Sequence, residues 1–249
     1  MTSAVVVTGG GSGIGRACAL ACAEAGRPVA AWDLDGAGAE ATAKEASERF
    51  NVAATAEQLD VTDSSTFAAA IRNARDALGP IGGLVHAAGV GGAVPVPFID
   101  EAAWDAVVDV NLRAEALLVK ELLPALREVG AGAAVVGIAS VEALSGNGMI
   151  PAYCSSKAGL LGLTRSMAHA FAAEGIRVNA VCPGAVDTPM LAPLLGMPQA
   201  RARLEERIPM HRIADPMEIG KVVRFLLSED ASYITGTYVV VDGGMTASM

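Results

Sequence analysis

Tyr153 stands four residues before Lys157 in the stretch AYCSSKAGL, residues 152–160. On a helix, residues i and i+4 share a face, so a phenol and an ammonium would lie one turn apart. A free tyrosine has a pKa of about 10, and ionising it at pH 7 costs ~4 kcal/mol. A fixed cation about 4 Å away, at an effective dielectric of ~20, returns roughly that much. The spacing therefore suits a proton acceptor made from a side chain that is ordinarily a poor base.

A second chemical signal is TGGGSGIG, residues 8–15. The spacing that matters is Gly9, Gly13 and Gly15, with Ser12 in the turn and Ile14 between the last two. Ile14 means that the run is not G-x-G-x-x-G, and no Gly-Lys-Ser/Thr follows, which excludes a P-loop. Glycines let the backbone turn tightly and approach a pyrophosphate. A helix beginning at Gly13 would present unpaired N–H groups and a partial positive charge. Asp33 follows Gly13 by 20 residues, at the end of a second strand. A carboxylate there can accept hydrogen bonds from both ribose hydroxyls and repels a 2′-phosphate, which selects NAD over NADP. No lysine or arginine lies at 31–36 to reverse that preference.

These groups must be carried by a framework, and the chain alternates strand and helix throughout. Strands are predicted at 3–8 and 28–33, and within 52–61, 82–89, 132–140, 176–183 and 237–244. Helices are predicted at 13–26, 37–50, near 64–78, at 101–128 with a kink at Pro124, at 152–174 and at 215–229. Gly26 and Gly175 close two of them, and Asp215 with Glu218 forms an N-terminal capping pattern for the last. Regular alternation predicts an α/β fold: a Rossmann-like, doubly wound parallel sheet of about seven strands with helices on both faces. With no linker or repeat, residues 1–249 read as a single domain. The exception to the rhythm is 184–212, rich in proline, methionine and leucine, which reads as a lid beside the site.

Composition supports this reading. Apolar residues make up 52% of the 249 and charged ones 18%, suited to a heavily buried sheet. The net charge of −9 disfavours nucleic acid as a partner. The cysteines Cys18, Cys22, Cys154 and Cys182 show no zinc spacing, so no metal is expected. Cys18 and Cys22 read as small apolar residues of a helix face. A reducing cytoplasmic setting fits, with no signal peptide and no membrane-spanning run expected.

Taken in order, these motifs resemble the classical short-chain dehydrogenases/reductases over essentially the whole chain. TGGGSGIG matches the family's T-G-x-x-x-G-x-G, and YCSSK its Y-x-x-x-K. Ser140 stands 13 residues before Tyr153, as the family's serine does. Asn111 in DVNL matches the family's helix asparagine, CPGAVDTPM its P-G-x-x-x-T segment, and Asp60-Val61 the pair that contacts adenine. The resemblance implies a catalytic set of Asn111, Ser140, Tyr153 and Lys157. Tyr153 would exchange the proton, Ser140 orient the substrate oxygen, and Asn111 hold a water linking Lys157 to solvent. Lys157 would also hold the nicotinamide ribose. The cofactor set would be Gly9, Ser12, Gly13, Ile14, Gly15, Asp33, Asp60, Val61, Ala88, Gly89, Tyr153, Lys157, Pro183, Gly184, Val186 and Thr188. Thr188 and the backbone of Val186 would meet the carboxamide.

One segment departs from the family pattern. N-N-A-G is replaced by HAAG, so His86 stands for the first asparagine. It either ties neighbouring loops through a ring nitrogen or fills space at the strand end. Ala87 replaces the second asparagine, while Ala88 and Gly89 are retained.

The expected reaction interconverts a secondary alcohol and a ketone with NAD. Met190, Leu191, Leu194, Leu195 and Met197 in the lid, with Val141, Leu144 and Met149, favour a largely apolar substrate; lid contact with another subunit is the alternative. Other readings are a 3-oxoacyl thioester reductase, a polyol dehydrogenase, or an NAD(H)-binding sensor without chemistry. The resemblance implies a homotetramer packed through the long helices, with no nucleic acid and no membrane as partners.

Overall fold

The structure is a computed structural model that describes residues 3–247. Its first strand, β1 (Ala4–Thr8), is buried along its whole length, as a central parallel strand must be. The glycine turn leads into α1 (Gly13–Glu24), then β2 (Val29–Asp33), α2 (Gly36–Phe50) and β3 (Ala54–Gln58). Asp35 caps α2 by accepting from the Gly38 amide at 3.2 Å. The chain then crosses the sheet through α3 (Phe67–Leu78) to β4 (Ile81–His86).

Beyond β4 come α4 (Glu101–Val108), α5 (Ala114–Val129) and β5 (Ala134–Ile138). The helix α6 (Pro151–Phe171), β6 (Arg177–Pro183), two short helices α7 (Ala192–Leu195) and α8 (Pro198–Glu206), α9 (Pro216–Leu227) and β7 (Tyr238–Val241) complete it. All seven strands are parallel, in the order β3-β2-β1-β4-β5-β6-β7. β2 and β4 flank β1 on opposite sides, so successive crossovers diverge there. That reversal opens a crevice at the carboxyl ends of β1 and β4, where such sheets take ligands.

Two apolar layers cover the sheet. Phe67 of α3, Leu118 and Leu122 of α5 and Met167 of α6 pack on one face. Cys18 and Cys22 of α1 and Ile219 and Val223 of α9 pack on the other. The two α1 cysteines are thus core residues, and burial pushes both thiols up. Among the described residues no group of His, Cys, Asp or Glu could hold a metal, and no helix is long and apolar enough to cross a membrane.

The capping box of α9 is present: Asp215 accepts from Met217, and Glu218 accepts from the Asp215 amide. One feature was not expected: the long helical segment departs from α geometry at Asp109–Arg113, a π turn between α4 and α5, and α5 holds Pro124 within its span to Val129. A π turn inserts a residue and re-aims the side chains around it. Here it carries Asn111, fully buried. Segment 184–212 has no strand, as expected, but carries α7 and α8, and Val186 bridges to Ala214.

Candidate active site

The glycine turn is shaped by contacts that exclude side chains. Gly9 has φ +65°, and a Cβ there would lie 2.7 Å from the Ala88 amide nitrogen. A Cβ on Gly15 would fall well inside contact with the Gly9 carbonyl. Ser12 precedes α1 as its N-cap, and its side chain makes no capping bond. Ile14 is half-buried and packs into the α1–α9 layer. Across the turn, the Thr188 methyl would be 3.2 Å from a Cβ on Gly13, so the segment after β6 packs against the helix N-terminus.

Asp33 is held in place by the turn itself. Its Oδ2 accepts from the Gly11 amide at 2.8 Å, and its Oδ1 from the Asp35 amide at 2.9 Å. Each carboxylate oxygen has a further lone pair, so acceptor capacity remains. Asp60 accepts from the amide and hydroxyl of Thr62, at 2.8 and 2.7 Å, through one oxygen, while Val61 is buried. Pro183 ends β6, and the Gly184 amide donates to Val241 at 3.0 Å. The Val186 carbonyl accepts from the Thr188 hydroxyl at 3.4 Å.

Tyr153 and Lys157 share one face of α6. The Lys157 Nζ lies 5.7 Å from the centre of the Tyr153 ring and donates to the Ile138 carbonyl at 2.7 Å. Ser140 follows β5, and its Oγ accepts from the Glu142 amide at 3.1 Å. Asn111 clamps the loop after β4. It accepts from the Val90 amide at 2.8 Å and donates to the Val90 carbonyl at 3.0 Å and to Ser156 Oγ at 3.1 Å. Gly89 sits between Asn111 and Lys157: a Cβ there would be 3.4 Å from the Asn111 Oδ1 and 3.5 Å from Nζ. The structure thus brings Asn111, Ser140, Tyr153 and Lys157, the four residues expected to be catalytic, to the carboxyl ends of β4 and β5, beside the glycine turn.

Burial dominates the electrostatics. It lowers Lys157 to about 8, against the opposing influences of Glu115 and Cys182. It raises the Tyr153 phenol, with Ser140 pulling the other way and Glu142 and Cys154 adding to the rise. The expected depression of the phenol by Lys157 is therefore not the dominant effect in the protein alone.

His86 does form a tie. Its Nε2 lies 3.1 Å from the Val110 carbonyl and its Nδ1 3.0 Å from the Thr8 hydroxyl, which also accepts from the Ala88 amide at 3.2 Å. A carbonyl can only accept, so Nε2 carries the proton and Nδ1 accepts from Thr8. Burial first, then Lys157, lowers this imidazole to about 4. His86 thereby links β1, β4 and the π turn next to Asn111.

Sequence reasoning passed over Thr8, Ser156 and Glu115. The first two act through single hydroxyls with no spacing signature. Glu115 had a signal: it lies three and seven residues before Leu118 and Leu122, on the buried face of α5.

Residues 9–246 match the family described as enoyl-(acyl carrier protein) reductase. The chain is 40% identical over 247 residues to 2-(S)-hydroxypropyl-CoM dehydrogenase 3 of Xanthobacter autotrophicus strain Py2, covering 98% of this chain and 96% of that one. It is 39% identical over 246 residues to cis-4-hydroxycyclohexanecarboxylate dehydrogenase of Sinomonas cyclohexanicum, covering 97% and 96%. Among solved structures, a candidate short-chain alcohol dehydrogenase of Sinorhizobium meliloti 1021 superposes with a TM-score of 0.94 at 35% identity, over 100% of this chain and 98% of that one. The chain belongs to the classical short-chain dehydrogenase/reductase family, oxidoreductases that work with a nicotinamide cofactor.

Proposed function

We propose that the protein is an NAD(H)-dependent dehydrogenase that interconverts a secondary alcohol and a ketone. The observation that carries this reading is the meeting of Tyr153, Lys157, Ser140 and Asn111 beside the glycine turn, at the reversal point of the sheet. The relatives named above are dehydrogenases, which supports the reaction class. Asp33, set by Gly11 and Asp35 at the end of β2, supports NAD over NADP.

The cradle fits a dinucleotide. Gly9, Ser12, Gly13, Ile14 and Gly15 would hold the pyrophosphate, Asp33 the adenosine ribose, and Asp60 and Val61 the adenine. Ala88, Gly89, Pro183, Gly184, Val186 and Thr188 would hold the nicotinamide half. Bound there, the nicotinamide supplies the hydride acceptor and, when oxidised, a further positive charge. Tyr153 takes the hydroxyl proton at its Oη. Ser140 orients the substrate oxygen through its hydroxyl. Lys157 holds the cofactor ribose and favours the phenolate. Asn111 keeps the Val90 loop in place and, through a water, would relay protons from Lys157.

Leu144 and Met149 after β5, and Met190, Leu194 and Met197 after β6, are all 40–58% exposed, which supports a substrate with an apolar body. The same surface supports subunit contact. The partly exposed edge strand β7, with Tyr238 at 40%, favours a homotetramer.

Tyr153→Phe tests the reading. Turnover should fall by several orders of magnitude with NADH affinity retained. Turnover within a few-fold of wild type would overturn the role of the phenol.

A further inference from the structure

Lys157 is not the only ionisable group sealed beside β5. Glu115 on α5 is fully buried, and neither of its carboxyl oxygens has a hydrogen-bond partner in the protein. A buried carboxyl without partners is rare and unfavourable, so its position calls for a reason. The carboxyl rests against the backbone of Gly137: a Cβ there would be 2.8 Å from Oε2 and 3.0 Å from Oε1. The next residue, Ile138, gives its carbonyl to Lys157 at 2.7 Å. Carboxyl and ammonium thus meet the same strand at consecutive residues.

We propose that Glu115 is a positioning residue for Lys157, a counter-charge that keeps the ammonium protonated in alkaline solution. The inference rests on the dehydrogenase reading, since it concerns that reading's catalytic lysine.

Few other groups could play this part. β4 presents His86, which is neutral. α6 presents Tyr153 and β6 presents Cys182, while Glu142, in the turn after β5, acts on Tyr153 and Cys154. Arg113 and Asp109 of the π turn pair with each other at 2.9 Å. The buried residues of α3 are Phe67, Ala70 and Ala74, all apolar.

Burial raises the Glu115 carboxyl to about 8, with Lys157 opposing the rise. Lys157, also placed at about 8, is raised by Glu115. Below that range the carboxyl is neutral and leaves Lys157 alone. Above it the carboxyl ionises, and the ammonium gains a counter-charge where it would otherwise be lost. The carboxyl therefore extends the charged range of the lysine upwards.

The test is Glu115→Gln, which keeps shape and removes the charge. The ratio of wild-type to variant kcat/KM for alcohol oxidation should grow as the pH rises past 8, reaching roughly tenfold if Lys157 titrates one pH unit earlier. Superimposable profiles would overturn the proposal. The Lys157 amine can be titrated directly by NMR with carbon-labelled lysine, its signal identified by loss in Lys157→Met. Its midpoint should fall in Glu115→Gln; an unchanged midpoint also refutes the idea. That titration needs no substrate. A wild type that turns over no alcohol or ketone would therefore sink the dehydrogenase reading while this result still decides the inference. Should Glu115→Gln not fold, labelled glutamate in the wild type decides instead: one carboxyl should titrate near 8, and ionisation of all of them by pH 6 refutes the proposal.

Discussion

Acid should act on this fold through His86. The imidazole is buried and held neutral, with its pKa lowered from 6.5 to about 4 by burial and by the Lys157 charge. The unfolded chain takes up a proton near 6.5, and the folded chain resists until about 4. Between those values the unfolded state binds more protons, so stability falls as the pH falls. From pH 7 the loss reaches ~2 kcal/mol by pH 5 and ~3 kcal/mol by pH 4. The comparison is with His86→Asn, which keeps a polar side chain that does not titrate. Urea unfolding of both proteins at pH 7, 6 and 5 gives the quantity needed, the change in their stability difference. Any constant cost of the substitution at pH 7, such as a lost bond to Val110, cancels in that change. The exposed His169 and His211 are common to both proteins and cancel as well. Wild type should lose ~2 kcal/mol more than the variant between pH 7 and 5. Losses equal within ~0.5 kcal/mol would show that His86 is not held neutral in the fold and would refute the burial argument.

Two further perturbations address the cofactor cradle. Gly15→Ala places a methyl against the Gly9 carbonyl, which is backbone and cannot yield without reshaping the turn. NADH binding by fluorescence titration should be lost or weakened at least roughly a hundredfold, a change of ~3 kcal/mol, and wild-type affinity would show that the turn is not the cradle. Asp33→Ala removes both the acceptor from the Gly11 and Asp35 amides and the charge that, on the proposed reading, would repel a 2′-phosphate. Its preference for NADH over NADPH, measured by thermal shift with each cofactor, should shrink; an unchanged preference would show that another residue sets it.

Much of the framework was legible because its causes are local. A buried parallel strand such as Ala4–Thr8 must read as an apolar run. The ends of α1 and α6 are marked by Gly26 and Gly175, both at positive φ, and the start of α9 by Asp215 and Glu218. The Tyr153–Lys157 pairing follows from helix periodicity alone. The π turn inside 101–128 was not legible, because such a turn has no compositional mark.

The state of the site depends on longer distances. Whether Tyr153 is a ready base turns on the balance between desolvation and a nearby ammonium, and only the packed fold sets how much water each group loses. His86 could be a tie or a space-filler until Thr8, 78 residues away, and Val110 were seen on its two nitrogens. Glu115 reads as a carboxylate on an apolar stripe, and only the packing of α5 on the sheet shows both its oxygens sealed against Gly137. Residue types and spacing determined which groups could do chemistry and in what order the chain lays them down. Tertiary packing decided their protonation, because burial and long-range pairing, rather than sequence neighbours, control the free energy of a charge.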